Sequence, residues 1–273
     1  MAVTVDSRLL RETRRAFDGV ASEYDRSNRD NSTLCEMRSR TLAAIAAHAP
    51  AGSSLLDLGC GPGGDAETLA RAGYRVIAID WSPAMVDQTR QRIARARLED
   101  RVEVHQIGIH ELDRLPPSSC DAAYSSFGPL NCVPNLAVAA RLIADRVRPG
   151  GVLVASVIGR VCPWEIALYA SRRDWTRLRV RFAAEFVPVP LNGGTVWTRY
   201  YSAGEFARAF AGAGFTRVSL RALGLFTPPP YMQAFAERHP ALVGGLRRLE
   251  DCLGGWPGIR AWGDHFLMVL RKA

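Results

Sequence analysis

The chain has 273 residues, 48% of them hydrophobic, enough for one large domain with inserts and a sizeable core. Its 6 cysteines include no C-x-x-C pair, so neither a disulfide framework nor a zinc site is expected, and a reducing cytoplasm is the expected setting. The net charge of +8 permits acidic partners, but arginines spread over a solvated surface account for it, and no nucleic-acid partner is expected.

The N-terminal MAVTVDSRLLRETRRAF has no apolar h-region, and no stretch is long enough to span a membrane, so no membrane insertion is expected. Residues 7–20 read as an amphipathic helix with its arginines outward. Residues 33–48 read as a second helix, ended by Pro50 and Gly52. Leu55-Leu56-Asp57-Leu58 is a short apolar strand, and Gly59-Cys60-Gly61-Pro62-Gly63-Gly64 is a glycine turn. A helical stretch and a second apolar run follow, and the run stops on Asp80. Ser82 is a natural N-cap and Pro83 a natural first residue for the next helix. Residues 102–108 read as the third strand and 120–127 as the fourth. A helix over 135–147 closes on Arg148-Pro149-Gly150-Gly151 before a fifth strand at 152–158. A helix at 203–213 and strands at 216–223 and 264–270 complete the alternation of an α/β chain. Two inserts are left over, at about 159–201 and 226–263.

The glycine turn admits two ligand classes. Gly59, Gly61 and Gly64 satisfy G-x-G-x-x-G, and Asp80 lies roughly 20 residues on, as a dinucleotide site asks. Asp57 argues the other way, because a carboxylate two residues before the first glycine repels a pyrophosphate. The same carboxylate suits a ligand with a cationic amino group. S-adenosylmethionine (SAM) has an ammonium, a sulfonium and no phosphate. Asp80, ending its strand, is placed to accept hydrogen bonds from two ribose hydroxyls.

LLDLGCGPGG followed by VIAIDWSPAMV resembles the first two motifs of the class I SAM-dependent methyltransferases. The similarity continues through CDAAYSSFG and VRPGGVLVASV and covers about residues 17–158. It implies an α/β fold: a Rossmann-like three-layer sandwich with a seven-stranded, mostly parallel sheet whose last strand is antiparallel. SAM, leaving as S-adenosylhomocysteine, would lie over the first, second and fourth strands and be held through Asp57, Gly59, Gly61 and Asp80. The segment from Phe17 to Asp25 resembles the F-D-x-x-A-x-x-Y-D entry of the quinone-type members, which folds over SAM. Residues 1–50 are then a helical lid segment over a SAM-binding domain of residues 51–273, and Tyr24 helps close the site. The resemblance further implies that Arg38 pairs with the SAM carboxylate, that Trp81 and Met85 flank the adenine, and that Ser125 is a cofactor contact. Where relatives place an acid after the third strand, this sequence reads Ile109 and then His110, leaving a backbone carbonyl or Glu111 for the adenine amine. Members that methylate nucleobase amines carry N/D-P-P-Y/F after the fourth strand. Ser126-Phe127-Gly128-Pro129 stands there instead, which counts against that chemistry.

Both inserts leave or rejoin the carboxyl edge of the sheet, where open α/β sheets bind ligands. The expected acceptor chamber is walled by Tyr24, Phe127, Asn131, Trp164 and the second insert. The candidate bases are His265, because the antiparallel last strand starts over the reacting centre, and His110, beside the cofactor. No cluster has metal-ligand spacing. The resulting expectation is a SAM-dependent methyltransferase of a small organic acceptor, transferring to O, N or C, with biosynthesis of secondary metabolites as its setting. A C-methyltransferase of a quinone or prenyl-type anion, bound by the arginine cluster Arg172, Arg173, Arg177, Arg179 and Arg181, is one alternative. A nicotinamide oxidoreductase and a non-catalytic SAM- or RNA-binding protein are others.

Overall fold

The computed structural model describes residues 7–116 and 119–273. The chain opens with two helices, α1 (Ser7–Arg29) and α2 (Ser32–His48). The α/β alternation follows: β1 (Ser54–Leu58), α3 (Gly64–Arg71), β2 (Arg75–Asp80), α4 (Pro83–Ala96), β3 (Val102–Gln106), β4 (Cys120–Ser125), α5 (Leu136–Ala144) and β5 (Val147–Ile158). The first insert carries α6 (Pro163–Ser171), α7 (Trp175–Val180) and a hairpin of β6 (Val187–Leu191) and β7 (Gly194–Thr198). After α8 (Ala203–Ala211) and β8 (Phe215–Leu223), the second insert adds α9 (Gln233–Arg238) and α10 (Pro240–Leu253), and β9 (His265–Lys272) ends the fold. The sheet order is β3-β2-β1-β4-β5-β9-β8, and only β9 runs antiparallel to its neighbours. The expected seven-stranded sandwich is borne out.

The layering follows from apolar residues on both faces of each strand. Leu56, Ala123, Leu153 and Met268 face α5 and α8, while Leu55, Ala122, Val152 and Leu267 face α2, α3 and α4. A strand covered on both sides needs such continuous apolar runs. Phe206, Phe210, Phe215 and Phe266 meet edge-on or tilted, with ring centroids 4.8–5.8 Å apart, and fill the corner beneath α8. No helix among the described residues is long and apolar enough to cross a membrane.

Two differences from the sequence reading bear on the site. The first helix does not stop at residue 20 but continues through Arg29, so Phe17 and Tyr24 share one rigid rod. The second insert packs on α2 rather than over the sheet edge: Asn31 Nδ2 donates to the Pro230 carbonyl at 2.8 Å, and Arg40 pairs with Asp251 at 2.9 Å.

The anchor of that insert is Glu250 on α10, which is fully buried. Its carboxylate accepts from the backbone N–H groups of Leu225 at 3.1 Å and Phe226 at 2.8 Å, and Arg40 lies 3.5 Å away. Removing the carboxylate strands these donors in a dry site. We predict that Glu250→Ala lowers the unfolding free energy by about 3–5 kcal/mol in urea denaturation. A loss under ~1 kcal/mol would show that the insert does not depend on this anchor.

Candidate active site

The carboxyl ends of β1, β2 and β4 converge on the turn that follows β1. The Gly59 and Cys60 N–H groups both donate to the Ile79 carbonyl, at 3.0 and 2.9 Å. Gly59 has φ +84°, and a Cβ there would lie 2.6 Å from Pro129. Gly63 has φ +79°, and its Cβ would meet Thr89 Cγ2 at 2.7 Å. Both positions therefore require glycine. The Thr89 hydroxyl donates to the Gly61 carbonyl at 2.7 Å and fixes the far side of the turn.

Asp80 locks this arrangement. Its Oδ2 accepts from the Gly61 N–H at 2.9 Å and its Oδ1 from the Ser82 N–H at 2.8 Å. Burial pushes its pKa up to about 6, and those backbone donors oppose the rise. Asp57, 2% exposed, is raised well above the usual carboxylate range by burial first and by Asp65 second. The Tyr124 hydroxyl, buried on the neighbouring strand β4, faces this carboxyl and opposes the rise. Asp65 pairs with Arg38 at 2.8 Å.

These groups line one cavity of about 350 Å³. Its floor is the glycine turn and the strand ends. Its roof is α1, through Leu10, Thr13, Arg14, Phe17 and Tyr24, together with the β6–β7 hairpin, through Val189, Leu191, Val196 and Thr198. The roof is tied down by polar contacts. The Ser82 hydroxyl donates to Asp18 at 2.6 Å, and Arg92 bridges Asp25 and Glu67. On the hairpin, the Trp197 N–H donates to Thr13 Oγ1 at 3.0 Å and its indole N–H to Glu12 at 2.8 Å. The hairpin's role was missed at the sequence level, although its signal was present. Asn192 and Gly193, both at positive φ, sit between two alternating apolar runs, which is the pattern of a tight hairpin turn.

Of the expected site residues, Tyr24, Arg38, Asp57, Gly59, Gly61, Asp80, Trp81, Met85, Ile109, His110 and Phe127 all line the cavity. Burial raises the Tyr24 hydroxyl above its usual range. Trp81 meets the His110 ring edge-on at 4.9 Å and carries the Arg14 guanidinium over its face at 5.6 Å. Burial lowers the His110 pKa, with Glu111 opposing. Glu111 itself does not line the cavity, because its carboxylate accepts from the Gly108 N–H and pairs with Arg114.

Four expectations fall outside the cavity wall, and each has a structural cause. Ser125 is fully buried within β4, one residue before the chain turns into the cavity. Asn131 spends its amide holding loops together, donating to the Ile158 and Arg199 carbonyls and accepting from the Ile158 N–H. Trp164 donates to the Phe226 carbonyl and packs on Phe235, clamping one insert to the other. His265 lies one side chain behind the wall, edge-on to Phe127 at 6.0 Å, with Nδ1 3.0 Å from Asp264. The second insert contributes no lining residue. The arginine cluster is split: Arg172, Arg173, Arg177 and Arg179 are exposed, while Arg181 is buried between Glu165 and Asp264.

Comparison with known proteins agrees with this geometry. The family model described as a methyltransferase domain matches residues 55–151, the stretch that builds the glycine turn, Asp80 and β4. Residues 55–151 are thus similar to a methyltransferase domain. Over 117 residues the chain is 36% identical to a demethylmenaquinone methyltransferase of Clavibacter sepedonicus, matching 43% of this chain and 46% of that protein. The chain thus spans less than half the length of that relative. Among solved structures, the 1,6-didemethyltoxoflavin-N1-methyltransferase of Burkholderia thailandensis, with its substrate and S-adenosylhomocysteine bound, superposes with a TM-score of 0.62. It is 17% identical and covers 100% of this chain and 92% of that one. A 4+2 cyclase superposes with a TM-score of 0.57 at 20% identity, over 85% of this chain and 80% of that one. At such identities the likeness establishes the fold alone.

The raised Asp80 pKa has a thermodynamic consequence. The folded chain holds this proton more tightly than the unfolded one, so the contribution to stability is complete below the ordinary value of 3.8 and is lost as pH rises through about 6. Asp80→Asn removes that titration. We predict that the difference in unfolding free energy between variant and wild type moves by ~1–3 kcal/mol in the variant's favour between pH ~4 and pH ~7. A difference independent of pH would contradict the buried, raised carboxyl.

Proposed function

We propose that the chain is a SAM-dependent methyltransferase acting on an O, N or C atom of a small organic acceptor. The observation that carries this reading is the charge of the cavity. Asp25, Asp57, Asp65 and Asp80 line it against two arginines, Arg14 in the roof and Arg38, which is already paired with Asp65. A ligand with an ammonium and a sulfonium gains from that field, and a pyrophosphate is repelled by it. The helix after the turn adds to the repulsion, because α3 has Asp65 and Glu67 in its first turn, where a phosphate would need to sit. This disfavours the nicotinamide reading.

In this proposal the Asp80 carboxylate accepts the ribose hydroxyls with the oxygen lone pairs that the Gly61 and Ser82 amides leave open. Trp81, Met85 and Ile109 flank the adenine, and His110, held against Trp81, belongs to that side. Asp57, a buried carboxyl beside the Tyr124 hydroxyl, suits the ammonium. The apolar roof of Phe17, Val189, Leu191 and Val196 faces the acceptor and keeps water from the sulfonium. α1 acts as the lid. Holding nucleophile, methyl and sulfur in line is worth about 7–11 kcal/mol. The similarity to a demethylmenaquinone methyltransferase supports a quinone-like acceptor as a second reading. An anion held by the arginine cluster is not part of it, since no arginine of the cluster reaches the cavity.

SAM binding is measurable by titration calorimetry. We expect one site, and a loss of about 1–3 kcal/mol in Asp80→Ala through the missing ribose hydrogen bonds. Affinity should also fall as pH drops through about 6, where Asp80 takes a proton. Unchanged SAM affinity in a folded Asp80→Ala variant would refute this assignment.

A further inference from the structure

We propose that His265 is the proton acceptor of this site and that the Phe127 side chain is the gate in front of it. The proposal rests on the methyl-transfer reading above. His265 opens β9 and pairs with Ile158 of β5. Ile158, Phe127 and Gly128 line the cavity, and His265 sits directly behind them. Its Nδ1 is tied to Asp264 at 3.0 Å, while its Nε2 is buried with no partner. Buried polar nitrogens are almost always paired, so an orphan here needs a reason.

The charge around the imidazole supplies one. Arg181 donates to Asp264 at 2.6 Å and to both oxygens of Glu165, at 2.6 and 2.8 Å. It also donates to the Gly159 and Asp264 carbonyls, so every branch of the guanidinium is engaged. One guanidinium thus faces two carboxylates, Asp264 buried and Glu165 partly exposed. With His265 neutral, the cluster keeps one negative charge uncompensated. A proton on Nε2 cancels it. The other titratable groups around the cluster do not supply that charge. Tyr200, beneath the Arg181 guanidinium at 5.2 Å, and the Cys162 thiol are each pushed up to about 12 by burial. The Tyr231 hydroxyl donates to Glu165 at 3.1 Å, and Arg38, on the other side of Phe127, is paired with Asp65. The uncompensated charge therefore stabilises the imidazolium that forms when Nε2 accepts a proton from the acceptor.

Phe127 has the backbone of a held part. Its φ of +60° lies in the left-handed region, rare for an aromatic residue, and Gly128 follows at +95°. Its ring bridges the Arg38 guanidinium at 5.5 Å and the His265 imidazole at 6.0 Å. Rotation of that ring uncovers Nε2 toward the cavity without moving the sheet. With an acceptor O–H or N–H in place, Nε2 takes the proton as the acceptor atom bonds to the methyl carbon. The S–CH3 bond breaks, sulfur keeps the electron pair as a neutral thioether, and the imidazolium later returns its proton to water.

The test needs no knowledge of the acceptor. Diethyl pyrocarbonate modification of each histidine is followed by peptide mass spectrometry on the full chain, with folding checked by thermal melting. We expect His265 to react at least ~10-fold more slowly than His110 in the wild type, about 10-fold faster in Phe127→Ala than in wild type, and at an intermediate rate in Phe127→Leu. An unchanged rate in folded Phe127 variants, or equal rates for the two histidines in the wild type, overturns the gate. NMR titration of the His265 ring tests the charge argument. Glu165→Gln removes one carboxylate charge and leaves one amide oxygen to accept from Arg181, so the protonation midpoint should fall by ~1 pH unit or more. An unmoved midpoint overturns the acceptor role. SAM titration of the same samples separates the two claims: a wild type that fails to bind SAM ends the methyl-transfer reading, while the labelling and titration results still decide the gate and the cluster.

Discussion

The interaction that the rest of the site depends on is the grip of the Asp80 carboxylate on two backbone amides, Gly61 before it in the chain and Ser82 after it. The first contact holds the glycine turn in a conformation that only glycine can follow at Gly59 and Gly63. The second sets Ser82, whose hydroxyl accepts from the Met85 N–H to start α4 and donates to Asp18 on α1. Turn, helix start and α1 therefore meet at one carboxylate. That carboxylate is held in a dry place at a cost, visible in its raised pKa, and a site that carries such a cost is a candidate for function.

Polarity elsewhere in the molecule follows the same rule, with a different purpose. Glu250 and Arg181 are buried ions whose partners come from distant segments, and each fastens an insert to the sheet. Asn131 does this without charge, joining the loop after β4 to β5 and to the end of the hairpin. These contacts leave the cavity walls apolar where the roof lies and acidic where the floor lies. The division matches a ligand that is cationic at one end and meets an organic partner at the other.

Most of the fold was legible because its signals are local. Apolar runs of four to six residues, the Ser82-Pro83 helix start and the glycine turn each act within a few residues. The floor of the cavity was legible for the same reason, since Asp57, Gly59, Gly61 and Asp80 sit in one strand-turn-helix-strand unit. The rest of its wall was not. Trp164 and Asn131 look like wall residues in sequence, and only the packing of inserts from residues 159–201 and 226–263 shows that both are structural ties. The hairpin that replaces them as a wall carries its own turn signal at Asn192-Gly193. Its docking on α1, with Gly194 pressed against Ala16, joins residues far apart in the sequence and leaves no local trace. Arg181 is the clearest case: in sequence it is one of five arginines, and in the fold it is the one that is buried.

The central claim is that the acidic, phosphate-repelling cavity selects a cationic nucleoside. Titration calorimetry of the wild-type chain with SAM, S-adenosylhomocysteine, NAD and NADH, under one buffer and salt condition, tests it most directly. The account predicts saturable binding of SAM and S-adenosylhomocysteine to one site and no heat of binding for either nicotinamide dinucleotide. Binding of NAD or NADH, with SAM silent, would contradict it.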